Sequence, residues 1–141
     1  MKTISIPLKL INLQDDGFHL LVEVVVFKEK HFAVLDTGAS RTVFDKSLIE
    51  KHLSESIKVS DEINAATLFT TTTTIQATIP ELKIGRLKIP IYETVAFDLQ
   101  SVSDTYQQFG HPPIGCIVGG DILMKHQAII DYENLVLILK K

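Results

Sequence analysis

One cysteine in 141 residues, Cys116, excludes an intrachain disulfide framework, and a chain of this length needs none. No run approaches the ~20 apolar residues of a membrane-spanning helix. The stretch from Met1 to Leu10 lacks the uninterrupted apolar core of a signal peptide. Basic residues number 14 against 17 acidic ones and are scattered, for a net charge of −3, so there is neither a nucleic-acid footprint nor a polybasic membrane patch. The five histidines (His19, His31, His52, His111 and His126) show no metal-ligand spacing, and neither His-Glu-x-x-His nor Cys-x-x-Cys occurs. Most of them read as surface residues, and Cys116 reads as a buried, inert thiol among Gly115, Ile117 and Val118. The expectation from these absences is a soluble cytoplasmic protein with no metal and no cofactor, and with neither nucleic acid nor membrane as a partner.

What is present suits one domain over residues 1–141. The hydrophobic fraction is 45% and the charged fraction 22%. The dominant pattern is strand. Ile4 to Leu10 alternates with period two, and His19 to Phe27 and Phe32 to Leu35 are rich in Val and Leu about a polar Lys28-Glu29-Lys30 turn. The β-branched run from Leu68 to Ile79 suits a hairpin arm. Leu82 to Ile89 reads as a hairpin around Gly85-Arg86, followed by a strand from Ile91 to Leu99. Asp45 to Leu53 reads as a helix with Asp45 as its N-cap, and Ile122 to His126 as a short one capped by Asp121. Gln100 to Pro113, with its Ser, Gln, Gly and paired prolines, reads as loop, and Ala128 to Leu139 as a closing hairpin turning at Asp131 to Asn134. The fold expected is all-β with two short helices.

Asp36-Thr37-Gly38-Ala39-Ser40 is the stretch that folding alone explains least. A carboxylate ending an apolar strand is costly unless paired, protonated or hydrogen-bonded, and here a hydroxyl and a permissive glycine follow it at once. Average composition produces such a string by chance in on the order of one in a hundred chains this long, so context must decide. The context is the strand before it and a second apolar-apolar-Gly element, Ile117-Val118-Gly119, ahead of a short helix.

With these residues the chain resembles the retropepsin-like aspartic proteases, the single-domain relatives of pepsin. The matching stretches are Val34 to Phe44 and Ile114 to Leu123, with Ile129 to Asn134 similar to the end of bacterial members. The resemblance implies a closed β-barrel equivalent to half of an acid protease. It also implies a catalytic Asp36 supplied by each subunit of a homodimer acting on a polypeptide substrate. Thr37 would tie the two loops together, Gly38 would let backbone amides approach the carboxylates, and Ile117, Val118 and Gly119 would pack behind the loop. Ser40 stands where it can hydrogen-bond the outer carboxylate oxygen, which implies an acidic to mildly acidic optimum. The flap of the family falls at roughly Glu62 to Ile75, with Asn64, Ala65, Ala66 and Thr67 as its turn, and contains no glycine. That departure keeps open a second reading, a non-catalytic peptide-binding or regulatory module on the same fold. A third, the phosphate-binding turn of sugar kinases, needs two lobes and a much longer chain.

Overall fold

A computed structural model of the chain describes residues 2–14, 17–53, 58–60 and 74–141. Among these lie ten strands and three helices. The strands are β1 (Thr3–Asn12), β2 (Phe18–Val26), β3 (Glu29–Leu35), β4 (Val43–Asp45), β5 (Lys58–Ser60), β6 (Thr74–Ile84), β7 (Leu87–Phe97), β8 (Ile114–Val118), β9 (Ile129–Asp131) and β10 (Val136–Lys140). The helices are α1 (Lys46–Leu53), α2 (Gln100–Gln108) and α3 (Gly120–Lys125). None is long and apolar enough to cross a membrane. The flap residues Asn64, Ala65, Ala66 and Thr67 lie outside the described residues.

The pairings close on themselves. They run β2–β3–β8–β4–β7–β6 and return to β2 through Val25↔Lys83 and Val26↔Leu82. Closing a sheet removes the exposed edges that would otherwise template association. β1 leaves this ring: Leu8 to Asn12 pair with β2, and Thr3 to Pro7 pair with β10, which carries β9 on its far side. Proline lacks an N–H, and Pro7 sits where β1 changes partners.

Period-two alternation divides β3 between two cores. Ala33 and Leu35 join the main cluster, with Val22, Val24, Phe44, Ile79, Cys116 and Val118. Val34 joins a second cluster with Ile11, Leu13, Leu21, Tyr106 and Ile114. The strand that ends at Asp36 is therefore gripped from both faces.

Two local readings change. The β2–β3 turn is Phe27-Lys28, not Lys28 to Lys30. Both turn residues have positive φ, 52° and 63°, as a two-residue hairpin of matching twist requires. Neither is a residue that favours this conformation; the Phe27 ring stacks on His52 at 4.4 Å, which helps to hold it. Gln100 to Gln108 is helix where the sequence reads as loop. Asp98 Oδ1 accepts from Gln100 N, Gln100 donates to Asp104, and Val102 and Tyr106 reach the second cluster. Asp45 precedes α1, and its carboxylate accepts from Ser47 Oγ and from Leu99 N, tying α1 to the start of α2.

The five histidines are half-buried, each remaining partly exposed at the surface. His19 Nδ1 meets Tyr106 Oη at 2.9 Å, and His126 Nδ1 lies 2.9 Å from Lys140 O. His52 Nε2 lies 2.8 Å from Glu29 Oε1, a close ion-pair distance without hydrogen-bond alignment. An imidazole can cover apolar surface with its ring while one nitrogen bonds nearby, as in His19 and His126, which composition alone does not reveal. Among the described residues no three His, Cys, Asp or Glu side chains are grouped to hold a metal ion.

Gly85 turns the β6–β7 hairpin with φ of 59°, and a Cβ there would lie 2.8 Å from Ile6 Cγ1. Gly85→Ala is expected to cost about 1–2 kcal/mol, through the left-handed backbone and a displaced but flexible Ile6. A urea melt showing no loss would contradict this.

Candidate active site

β3 and β8 run parallel, with Val34↔Ile117 and Leu35↔Val118 in register. Their C-terminal ends release two loops side by side, Asp36 to Thr42 and Gly119-Gly120. The loops are stitched by backbone and side-chain bonds. Asp36 N donates to Val118 O at 3.0 Å, Gly120 N to Ala39 O at 2.7 Å, and Gly119 N to Thr42 Oγ1 at 3.0 Å. Gly119 has ordinary extended angles (φ −112°, ψ −171°), so conformational freedom is not what it supplies. A Cβ there would lie 2.7 Å from Arg41 C and O and 2.8 Å from Ala39 O, and it is this close backbone approach that admits glycine alone.

Asp36, Thr37 and Gly38 are exposed at the tip of their loop, and Ser40 is exposed beside them. Within the loop Gly38 N donates to Asp36 Oδ1 at 2.9 Å, and Ala39 N to Asp36 O at 3.2 Å. A backbone amide donating to a carboxylate oxygen fixes the direction of the carboxyl group. A Cβ on Gly38 would lie 3.3 Å from that same oxygen. The Ser40 hydroxyl makes no hydrogen bond to Asp36 among the described residues, so the support anticipated there comes from the Gly38 amide. A recess of about 240 Å³ opens at the Arg41 side of the loop, between Gln76, Thr78, Glu93 and Thr94.

Asp121 does not cap α3; Gly119 occupies the N-cap. The Asp121 carboxylate instead accepts from Thr42 N at 2.9 Å and Thr42 Oγ1 at 2.7 Å on one oxygen, and from Tyr92 Oη at 2.6 Å on the other. Thr42 is 2% exposed. Burial pushes the Tyr92 phenol well above the ordinary tyrosine range, and the hydrogen bond and charge of Asp121 add to it. Thr42, Tyr92 and Asp121 are the residues that reading along the chain missed, because no local spacing joins positions 42, 92 and 121. Cys116 is fully buried, and desolvation first, then the charge of Asp121, raises its thiol well above the usual range. It is therefore no nucleophile at neutral pH. Asp131 turns the last hairpin by accepting from Asn134 N and Nδ2, which hold its carboxyl below the usual range.

The arrangement presents one carboxylate, held by an amide and backed by a second loop, at the end of two parallel strands. A family model described as aspartyl protease matches residues 22–122, a span that contains both loops. A retropepsin-like aspartic protease from Rickettsia conorii shares the fold at 20% identity, over 98% of this chain and 90% of that one, with a TM-score of 0.58. The retroviral protease-like domain of Ddi1 from Leishmania major does so at 17% identity, over 86% and 87%, also at 0.58. No curated protein matches the sequence. On the family match across both loops, and the retropepsin-like fold that supports them, the chain belongs to the aspartyl protease family.

Proposed function

We propose that the protein is an aspartic endopeptidase that acts as a homodimer, with one Asp36 from each subunit. The observation that carries this reading is the exposed Asp36 carboxylate on a loop whose backbone is fixed from behind. Two carboxyls brought together cannot readily both ionise, so they share one proton. The ionised member takes a proton from a water held between them, and that water attacks the scissile carbonyl carbon. The protonated member donates to the carbonyl oxygen. This chain carries a single Asp-Thr-Gly, so the second carboxyl comes from a second copy across a two-fold axis. The substrate binds as an extended strand across the cleft. One carboxyl must keep its proton, so activity falls as pH rises past neutrality.

The surface supports a partner. β9 is the last strand in the order, paired only with β10 among the described residues. Met124, Ile129 and Tyr132 around it are large, apolar and exposed at 80%, 54% and 65%. An uncovered edge with apolar flanks is costly in isolation.

The absence of glycine from residues 62–75 favours the second reading, a peptide-binding module that does not cleave. Sedimentation velocity combined with peptide-library digestion from pH 3 to 8, with a pepstatin-type inhibitor as control, separates the two. The protease reading expects a dimer, inhibitable cleavage with an acidic to mildly acidic optimum, and a rate per chain that falls on dilution. A monomer at high concentration that binds peptides without cutting them would establish the module instead, and an optimum above neutrality would exclude the shared proton.

A further inference from the structure

We propose that Asp121 is a positioning residue for the Asp36 loop: it sets the direction of the Thr42 hydroxyl and, through it, the seat of Gly119 against that loop. The rate effects below rest on the aspartic-peptidase reading; the structural effects do not.

Proton direction assigns the donors and acceptors around Thr42. Gly119 N–H can only donate, and it points at Thr42 Oγ1. That hydroxyl has one proton and two lone pairs. To accept from Gly119 it must send its own proton elsewhere, and a carboxylate oxygen, which offers lone pairs and no N–H, is placed to take it. Asp121 Oδ1 lies 2.7 Å away in that role and also takes Thr42 N. Its other oxygen is held by Tyr92 Oη from β7, so the carboxylate cannot rotate out of place without losing a short, part-buried bond. One acid thus gathers donors from the loop and from β7 while sitting on α3.

The consequence reaches Asp36 through the backbone. Val118, which precedes Gly119, accepts from Asp36 N, and Gly120, which follows it, donates to Ala39 O. Gly119 is pressed against the Arg41 carbonyl with no room for a Cβ. A displaced Gly119 therefore moves the acceptor of Asp36 N on one side and the partner of Ala39 on the other. Asp121 bonds Thr42 and Tyr92, not Asp36, and acts through others.

The test uses Thr42→Val, which keeps the shape and removes the hydroxyl, Thr42→Ser, which keeps the hydroxyl, and Asp121→Ala. On a peptide that the wild-type protein cleaves, Thr42→Val and Asp121→Ala are expected to lower kcat by about 100-fold with KM changed by less than about threefold. Thr42→Ser is expected to stay within about threefold of wild type in both constants. A role in stability alone would lower Tm and leave kcat of the folded enzyme unchanged, and that result would overturn the proposal. Amide hydrogen exchange at Gly119 and Asp36, followed by NMR well below each Tm, gives a readout independent of catalysis. Exchange faster by about tenfold or more in both Thr42→Val and Asp121→Ala but not in Thr42→Ser supports the proposal. Unchanged protection in either Thr42→Val or Asp121→Ala overturns it. Should the wild-type protein cleave nothing while exchange responds as expected, the positioning role stands and the peptidase reading falls.

Discussion

Asp36→Asn is expected to abolish peptide cleavage, lowering kcat by at least on the order of 10³-fold, while Tm stays within a few degrees of wild type. The amide is almost isosteric with the carboxyl, and its oxygen can still accept from Gly38 N as Asp36 Oδ1 does at 2.9 Å. What it cannot do is take a proton from water or hand one to the scissile carbonyl. In a homodimer the change strikes both acids at once, so no residual general base remains in the pair. The loop itself is held by bonds that the substitution leaves alone: Asp36 N to Val118 O, Gly120 N to Ala39 O and Gly119 N to Thr42 Oγ1. Mixing sharpens the test. With equal amounts of mutant and wild-type chains exchanging freely, only about a quarter of dimers carry two Asp36 residues. Activity per wild-type chain should then fall by about half and continue to fall with excess mutant. A protein that works as a monomer would show no such loss. Cleavage retained by the mutant alone would remove Asp36 from the mechanism.

Features contiguous in sequence could be read from the sequence. Asp36 to Ser40 and Ile117 to Gly119 each lie within a few residues, and the apolar strand ahead of each marks where it ends up. The β1 strand, the β9–β10 hairpin and the turn at Gly85-Arg86 were visible for the same reason, since alternation and turn residues are local signals. The hairpin read over Leu82 to Ile89 and the strand read over Ile91 to Leu99, by contrast, belong to two long strands, β6 and β7. Two kinds of feature were hidden. The first is bonding between distant positions: Asp121 looks like a helix cap because it stands at the start of α3, yet its partners are Thr42, 79 residues away, and Tyr92, 29 residues away. The second is tertiary contact overriding propensity. α2 has few apolar residues and weak helix formers, but Val102 and Tyr106 fall one turn apart and find a cluster waiting beneath them. Phe27-Lys28 is likewise a poor turn sequence, adopted all the same in register with the strands that flank it, Val26↔Glu29 and Val25↔Lys30.

Gly119→Ala is expected to destabilise the protein by about 3 kcal/mol, a fall in Tm on the order of 10 °C, and to cost about 100-fold in kcat of what remains folded. The cause is space, not backbone freedom. At φ −112° and ψ −171° alanine is comfortable, so a conformational account predicts almost no effect. The added methyl meets Arg41 C and O at 2.7 Å and Ala39 O at 2.8 Å, all main-chain atoms that cannot swing aside as a side chain would. Relief requires the two loops to part. Parting them strains Gly120 N to Ala39 O and Gly119 N to Thr42 Oγ1 directly, and shifts the Val118 carbonyl that holds Asp36 N. Gly17→Ala provides the opposite case: a Cβ there meets nothing within 4 Å, but φ is 84°, so about 1 kcal/mol of backbone cost is expected with kcat unchanged. Thermal melts and saturation kinetics on the pair separate the two causes. Should Gly119→Ala melt with or above Gly17→Ala and keep its kcat, the close approach of the two loops would not be what holds Asp36 in place.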